Sequence, residues 1–199
     1  TAETRYNGYI KAFKEFGINK VAEQWEVLTG EKAANAVEQF LSAYPEMDGL
    51  AVVGGGGEPL TGAVQALKKN NKIGSVQITG SDFGPDIKKN IQNKEISAMS
   101  GGHWTDPFYC FMLMYNYATG HPLSDKPVSI AMNPIFITSE VEADQYTKWF
   151  EGDLLPYTSD EIKKMAVVNN SSFNLEELQK IASAYSIKDV MARHEGMLK

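Results

Sequence analysis

Residues 50–53 (Leu-Ala-Val-Val) form an apolar run that stops at four glycines, 54–57. It then opens into the amphipathic stretch Thr61-Gly62-Ala63-Val64-Gln65-Ala66-Leu67-Lys68. A change of period this abrupt predicts a buried strand, a tight loop and a helix. In open α/β sheets, ligands bind just beyond the carboxyl ends of such strands. Glycines there let a bound molecule approach the backbone, because no Cβ stands in the way. A second unit of this kind follows one helix later, where Val76-Gln77-Ile78-Thr79-Gly80-Ser81-Asp82 ends its strand in a carboxylate. Two strand ends therefore direct bare backbone and a charge at one crevice.

The surrounding chain alternates in the same way. Tyr6, Tyr9, Ile10, Phe13 and Phe16 recur at helical spacing, predicting a helix over residues 3–16 that Gly17 ends. Strands are expected at 20–27, 49–53, 75–79 and 96–100, and helices at 29–44, 57–69 and 84–92. Strict alternation predicts a parallel sheet flanked by helices, that is, one Rossmann-like α/β lobe. After Gly101-Gly102 the texture changes. Asp106 and Pro107 begin an apolar helix to residue 119, and short strands are expected at 127–130 and 135–138. Ser139 with Glu142 forms a capping box for a helix to residue 150. Three further helix starts, Thr158-x-x-Glu161, Asn174-x-x-Glu177 and Ser186-x-x-Asp189, make the remainder a purely helical extension.

Composition narrows the function classes. The net charge of −6 opposes nucleic-acid binding, which needs a basic face. No apolar run reaches the ~18–20 residues of a membrane span. The single cysteine, Cys110, rules out an internal disulfide, and its apolar helical setting predicts a buried, inert thiol. His121 and His194 stand in polar, helix-end contexts that predict exposure. The three histidines lie too far apart in sequence to suggest a metal site. No Gly-x-Ser-x-Gly elbow is present, and the glycine run fits neither dinucleotide nor Walker patterns, so neither catalysis nor a cofactor is expected.

Several stretches, taken as a set, resemble the type I periplasmic sugar-binding proteins, solute receptors of bacterial ABC importers that are related to the effector domains of LacI-type repressors. They are Arg5-Tyr6-Asn7-Gly8-Tyr9, Leu41-Ser42-Ala43-Tyr44-Pro45-Glu46-Met47-Asp48-Gly49, Gly62-Ala63-Val64-Gln65-Ala66-Leu67, Gly80-Ser81-Asp82, residues 86–98 and Ile137-Thr138-Ser139. The likeness spans roughly residues 3–140. It implies two lobes joined by three crossings with ligand between them, of which this chain carries the C-terminal lobe. On that pattern residues 1–102 are an incomplete ligand-binding lobe. Residues 103–133 are a hinge and a helix belonging to the other lobe, 134–151 the returning strand and helix, and 152–199 the helical extension. The helix at 107–118 would then carry an apolar face for the C-terminal helices or for self-association with another copy.

The resemblance also nominates ligand-binding residues. Asp82 stands where the family places a carboxylate that accepts hydrogen bonds from sugar hydroxyls, a task suited to its several lone pairs; a turn or capping role is the alternative. Arg5 offers a hydrogen-bonding fork or a structural contact, and Glu3, two positions earlier, tends to face the cleft. Trp25 could stack on a sugar face or anchor its strand. Gly56 and Gly57 replace an asparagine and an aspartate of the family pattern, leaving backbone N–H groups as the recognition element. His103 and Trp104 occupy the place of a ligand-contacting hinge glutamine: His103 offers a donor or acceptor, with a hinge residue bonded to backbone as the alternative, and Trp104 a ring that could stack. The implied function is that of a non-enzymatic importer receptor, periplasmic or extracellular and membrane-associated. It would bind a sugar or a similar small polar ligand and partner ABC membrane subunits, with no cofactor and no metal. The alternatives are a repressor or sensor effector domain and, from a different class, a flavodoxin-like enzyme.

Overall fold

The computed structural model describes residues 2–54, 57–84, 86–150 and 155–195. Its elements are α1 (Ala2–Phe16), α2 (Gly30–Ala43), β1 (Gly49–Val52), α3 (Glu58–Lys69), β2 (Gln77–Ser81), α4 (Ile87–Gln92) and β3 (Ala98–Gly101). A 3₁₀ turn (His103–Thr105), α5 (Asp106–Ala118), β4 (Ile135–Ile137), α6 (Glu140–Phe150), α7 (Ser159–Lys164), α8 (Leu175–Ala184) and α9 (Ile187–His194) follow. They fall into two compact units, one of residues 1–101 with 136–143, the other of residues 102–135 with 144–199.

The first unit is the expected α/β layer. The sheet order is β1-β2-β3-β4, and the β1–β2 and β2–β3 pairs are parallel, as the βαβ alternation requires. Leu60, Ala63, Val64 and Leu67 of α3, Ile78 of β2, Ile87 and Ile91 of α4 and Met99 of β3 are buried as its core. Helices α2 and α3 meet through two glycines. A Cβ on Gly62 would fall 1.9 Å from the Gly30 carbonyl oxygen, so only a bare Cα allows this approach. Helix α1 ends at Gly17, whose φ of +67° lets Ile18 N donate back to Phe13 O at 2.8 Å.

The second unit is helical. Tyr109 and Met112 of α5 pack with Tyr157, Met165, Phe173, Leu178 and Ala182 in one apolar core. Asn116, fully buried on the same face, donates to Met112 O and Met165 O and accepts from Val167 N. The three helix starts expected beyond residue 155 all form. Thr158, Asn174 and Ser186 each cap their helix by accepting from the backbone N–H three residues on. The Ser139 and Glu142 box also forms, with Glu142 N donating to Ser139 Oγ.

Five expectations are corrected. Residues 20–27 are no strand: they pair with no neighbour, and a strand without a ladder partner leaves its backbone to water. Residues 127–130 likewise lie outside the sheet. The apolar run 50–53 is only half-buried, because β1 is the edge strand with β2 as its one neighbour. Cys110 is exposed, since the helical extension covers the Tyr109, Met112 and Asn116 face of α5 and not the thiol's side. His194 is buried, with Nε2 2.6 Å from Leu155 O, while His121 is exposed as expected.

Candidate functional site

Asp82 follows directly on β2. Its amide donates to Ser100 O at 2.7 Å, so the β2–β3 ladder extends one residue beyond the strand and fixes the backbone there. Its φ is +71°, a left-handed conformation that aspartate tolerates better than most residues. The carboxylate is gripped from α1 by Arg5, with Nη1 2.9 Å from Oδ2 and Nη2 3.3 Å from Oδ1. The side chains of Arg5 and Asp82 stay 36% and 28% exposed. The result is a planar donor fork and an acceptor held side by side at the carboxyl end of a parallel strand.

Two serines adjoin Asp82 through the backbone: Ser81 precedes it, and the carbonyl of Ser100 accepts from its amide. Ser81 ends β2 and Ser100 is the next-to-last residue of β3; the two pair in register, with Ser100 Oγ 3.3 Å from Ser81 Oγ. The sequence reading passed over Ser100, although it closes the strand expected at 96–100, just before Gly101-Gly102. Chemically, the end of β2 offers a guanidinium and a carboxylate, groups able to exchange hydrogen bonds with the hydroxyls of a polar ligand.

The other nominated residues are placed as follows. Glu3 is exposed in the first turn of α1, and residues two apart on a helix point to different sides, so it does not share the Arg5 face. Trp25 is 51% exposed and leans on Tyr6, ring centroids 4.8 Å apart. Tyr6 Oη donates to Glu23 Oε2 at 2.8 Å and accepts from Lys20 Nζ at 3.0 Å, which fixes this corner on the helix residue next to Arg5. Trp25 also lines a groove of about 290 Å³ with Gln24, Lys32, Asn35 and Gln39. Gly57 precedes α3, its carbonyl accepting from Thr61 N, and a Cβ there would meet nothing within 4 Å. Gly56 lies outside the described residues.

His103 and Trp104 belong to the second unit. They open the 3₁₀ turn behind Gly102, whose φ is +86°. Both are exposed, and Trp104 rests edge-on against Phe150 at 6.4 Å. Thr105, the last residue of the turn, is buried with Oγ1 within reach of Gly102 O and Met132 Sδ. Among the described residues no cluster of three His, Cys, Asp or Glu could hold a metal ion, and no helix is long and apolar enough to cross a membrane.

The profile of a periplasmic binding protein domain matches residues 1–122, more than half the chain. No curated protein matches. A periplasmic sugar-binding protein from Pseudomonas fluorescens superposes with a TM-score of 0.67 at 14% identity, over 95% of this chain and 55% of its own. An ABC transporter solute-binding protein from Agrobacterium vitis, bound with α-D-tagatopyranose, gives 0.63 at 16%, over 72% and 47%. One from Actinobacillus succinogenes, with bound D-allose, gives 0.62 at 20%, over 72% and 49%. The chain thus spans about half the length of these structures, and at such identities the likeness is one of fold.

Proposed function

Because the chain belongs to the periplasmic binding protein domain family, we propose that it is the ligand-gripping part of an ABC importer's solute receptor. Its ligand is a carbohydrate or a similarly small, hydroxyl-rich molecule. The observation that carries this reading is the Arg5–Asp82 ion pair at the carboxyl end of β2. A carboxylate oriented by a guanidinium accepts from hydroxyls while the guanidinium donates to ring or hydroxyl oxygens. The sugars bound by the similar solute-binding proteins support the same ligand class.

On this reading the chain binds without chemistry. Residues 1–102 act as the gripping lobe, 103–133 as hinge and crossing, 134–151 as the return, and 152–199 as the helical extension. Trp25 and Gly57 in the first unit and, separately, His103 and Trp104 in the second are the further candidates for ligand contact. Ligand contacts to both lobes of a full receptor favour its closed form, which the importer's membrane subunits recognise outside the cytoplasm.

The test is NMR titration of this chain with D-allose, D-tagatose and D-arabinose at millimolar concentration. Amide shifts clustered at residues 5, 82 and 100, abolished in Asp82→Asn, are expected for at least one sugar. Shifts clustered elsewhere, or none with any sugar, overturn the reading.

A further inference from the structure

The helical segment beyond residue 155 reaches the turn that carries His103 and Trp104 through a series of aromatic rings. Trp104 meets Phe150 edge-on at 6.4 Å and 85°, and Phe150 meets Tyr185 edge-on at 6.0 Å and 76°. Tyr146 stacks flat on Phe150 at 5.0 Å, so the middle ring of the series cannot turn without displacing a buried neighbour. Thr105, which closes the turn, turns its Oγ1 to Gly102 O and Met132 Sδ. Burial holds the Tyr185 hydroxyl in its neutral form, and its oxygen has no hydrogen-bond partner among the described residues.

Tyr185 is 1% exposed and Phe150 8%, whereas Trp104 is 48% exposed. A rigid buried base therefore supports one ring that reaches solvent. An exposed indole left to itself samples several rotamers, and holding it in one removes an entropy cost from any ligand that stacks on it. An edge-to-face contact is directional, so what the buried rings transmit is orientation as well as burial. The unpartnered hydroxyl adds nothing to that support; the ring does.

We infer that Phe150 and Tyr185 are positioning residues for Trp104, and that the helical segment after residue 155 serves to fix the indole as a stacking platform for the apolar face of a sugar ring. The stacking role rests on the function proposed above, whereas the fixed orientation does not.

The test labels the three tryptophans of the full chain with 5-fluorotryptophan and assigns the Trp104 resonance with Trp104→Phe. Tyr185→Phe is expected to leave that resonance in place, because the ring is kept. Tyr185→Leu and Phe150→Leu are expected to displace or broaden it while the Trp25 resonance stays fixed. A Trp104 resonance unmoved in folded Tyr185→Leu and Phe150→Leu overturns the inference. Should either leucine variant not fold, ring-proton Overhauser contacts from Trp104 to Phe150 in the unaltered chain decide it, their absence counting against. Sugar titration separates the two layers. A leucine variant that loses most of the sugar-induced shifts while Tyr185→Phe retains them supports both. A moved Trp104 resonance with unchanged sugar binding supports the positioning and removes Trp104 from the proposed ligand site.

Discussion

Arg5 and Asp82, 77 positions apart, meet as a two-pronged ion pair whose acceptor sits on a backbone at φ +71°. Both side chains are about a third exposed, and pairs in that setting typically contribute about 0–1 kcal/mol. The geometry is therefore worth more for orientation than for stability. Asp82→Asn keeps a residue at home in the left-handed region and should change stability by no more than about 1 kcal/mol while abolishing sugar-dependent shifts. Asp82→Ala adds a further cost of about 1–2 kcal/mol for an alanine at positive φ. Urea denaturation of the two variants checks this; an asparagine variant as damaged as the alanine one would make the ion pair a determinant of the fold.

The two glycine environments on helices predict opposite signs for the same change. Gly62→Ala drives a methyl to 1.9 Å from Gly30 O, so α2 and α3 must separate, and overpacking of this kind costs about 1–3 kcal/mol. Gly8, within α1, has nothing within 4 Å of an added Cβ. Gly8→Ala should therefore stabilise by about 0.5–1 kcal/mol through helix propensity alone. Thermal melts of the two variants, shifted in opposite directions, are the expected result.

What the sequence made legible was local. The period changes at Val53 and Ser81 placed β1, β2 and α3 to within two residues, and the Thr158–Glu161 box formed as spaced, because each depends on neighbours a few positions away. Residues 20–27 carry the residue types of a strand, but a strand exists only where a partner offers a ladder, and no pattern within eight residues encodes that. Cys110 and His194 failed for a related reason: which side of a helix is covered depends on what packs there. The Asp82 strand end pointed to a binding corner. Its Arg5 partner and the neighbouring Ser100 came only from the tertiary arrangement.

Acid should loosen the second unit in a defined window. Burial pushes the Glu161 carboxyl up. Hydrogen bonds from Thr158 N and Oγ1 and the Arg193 guanidinium outweigh it and hold the group below its ordinary value of 4.5. A folded-state value below the unfolded one gives stability that is fully present above about pH 4.5 and is lost as pH falls through the lowered value. Glu161→Gln should therefore be less stable than the parent at pH 7 and show a flatter loss below pH 4.5. Denaturation midpoints between pH 3 and 7 read this out; a parallel decline in parent and variant would mean that Glu161 is not linked to folding.

Asn116, a fully buried polar side chain, ties α5 to the segment after α7. Nδ2 donates to Met165 O at 2.9 Å and Oδ1 accepts from Val167 N at 2.8 Å, so a single amide satisfies both groups of a chain reversal. Asn116→Leu preserves volume, creates little cavity and leaves those two backbone groups without a partner. Each stranded group costs about 1–3 kcal/mol, because neither bulk water nor a second protein group replaces the bond. The loss should stay local, since the first unit has its own core in α3, β2 and α4. Amide hydrogen exchange resolves the two: Val167 should lose its protection in the variant while Ile78 retains it. Equal loss at both positions would mean that the two units unfold as one and that the amide supports the whole chain.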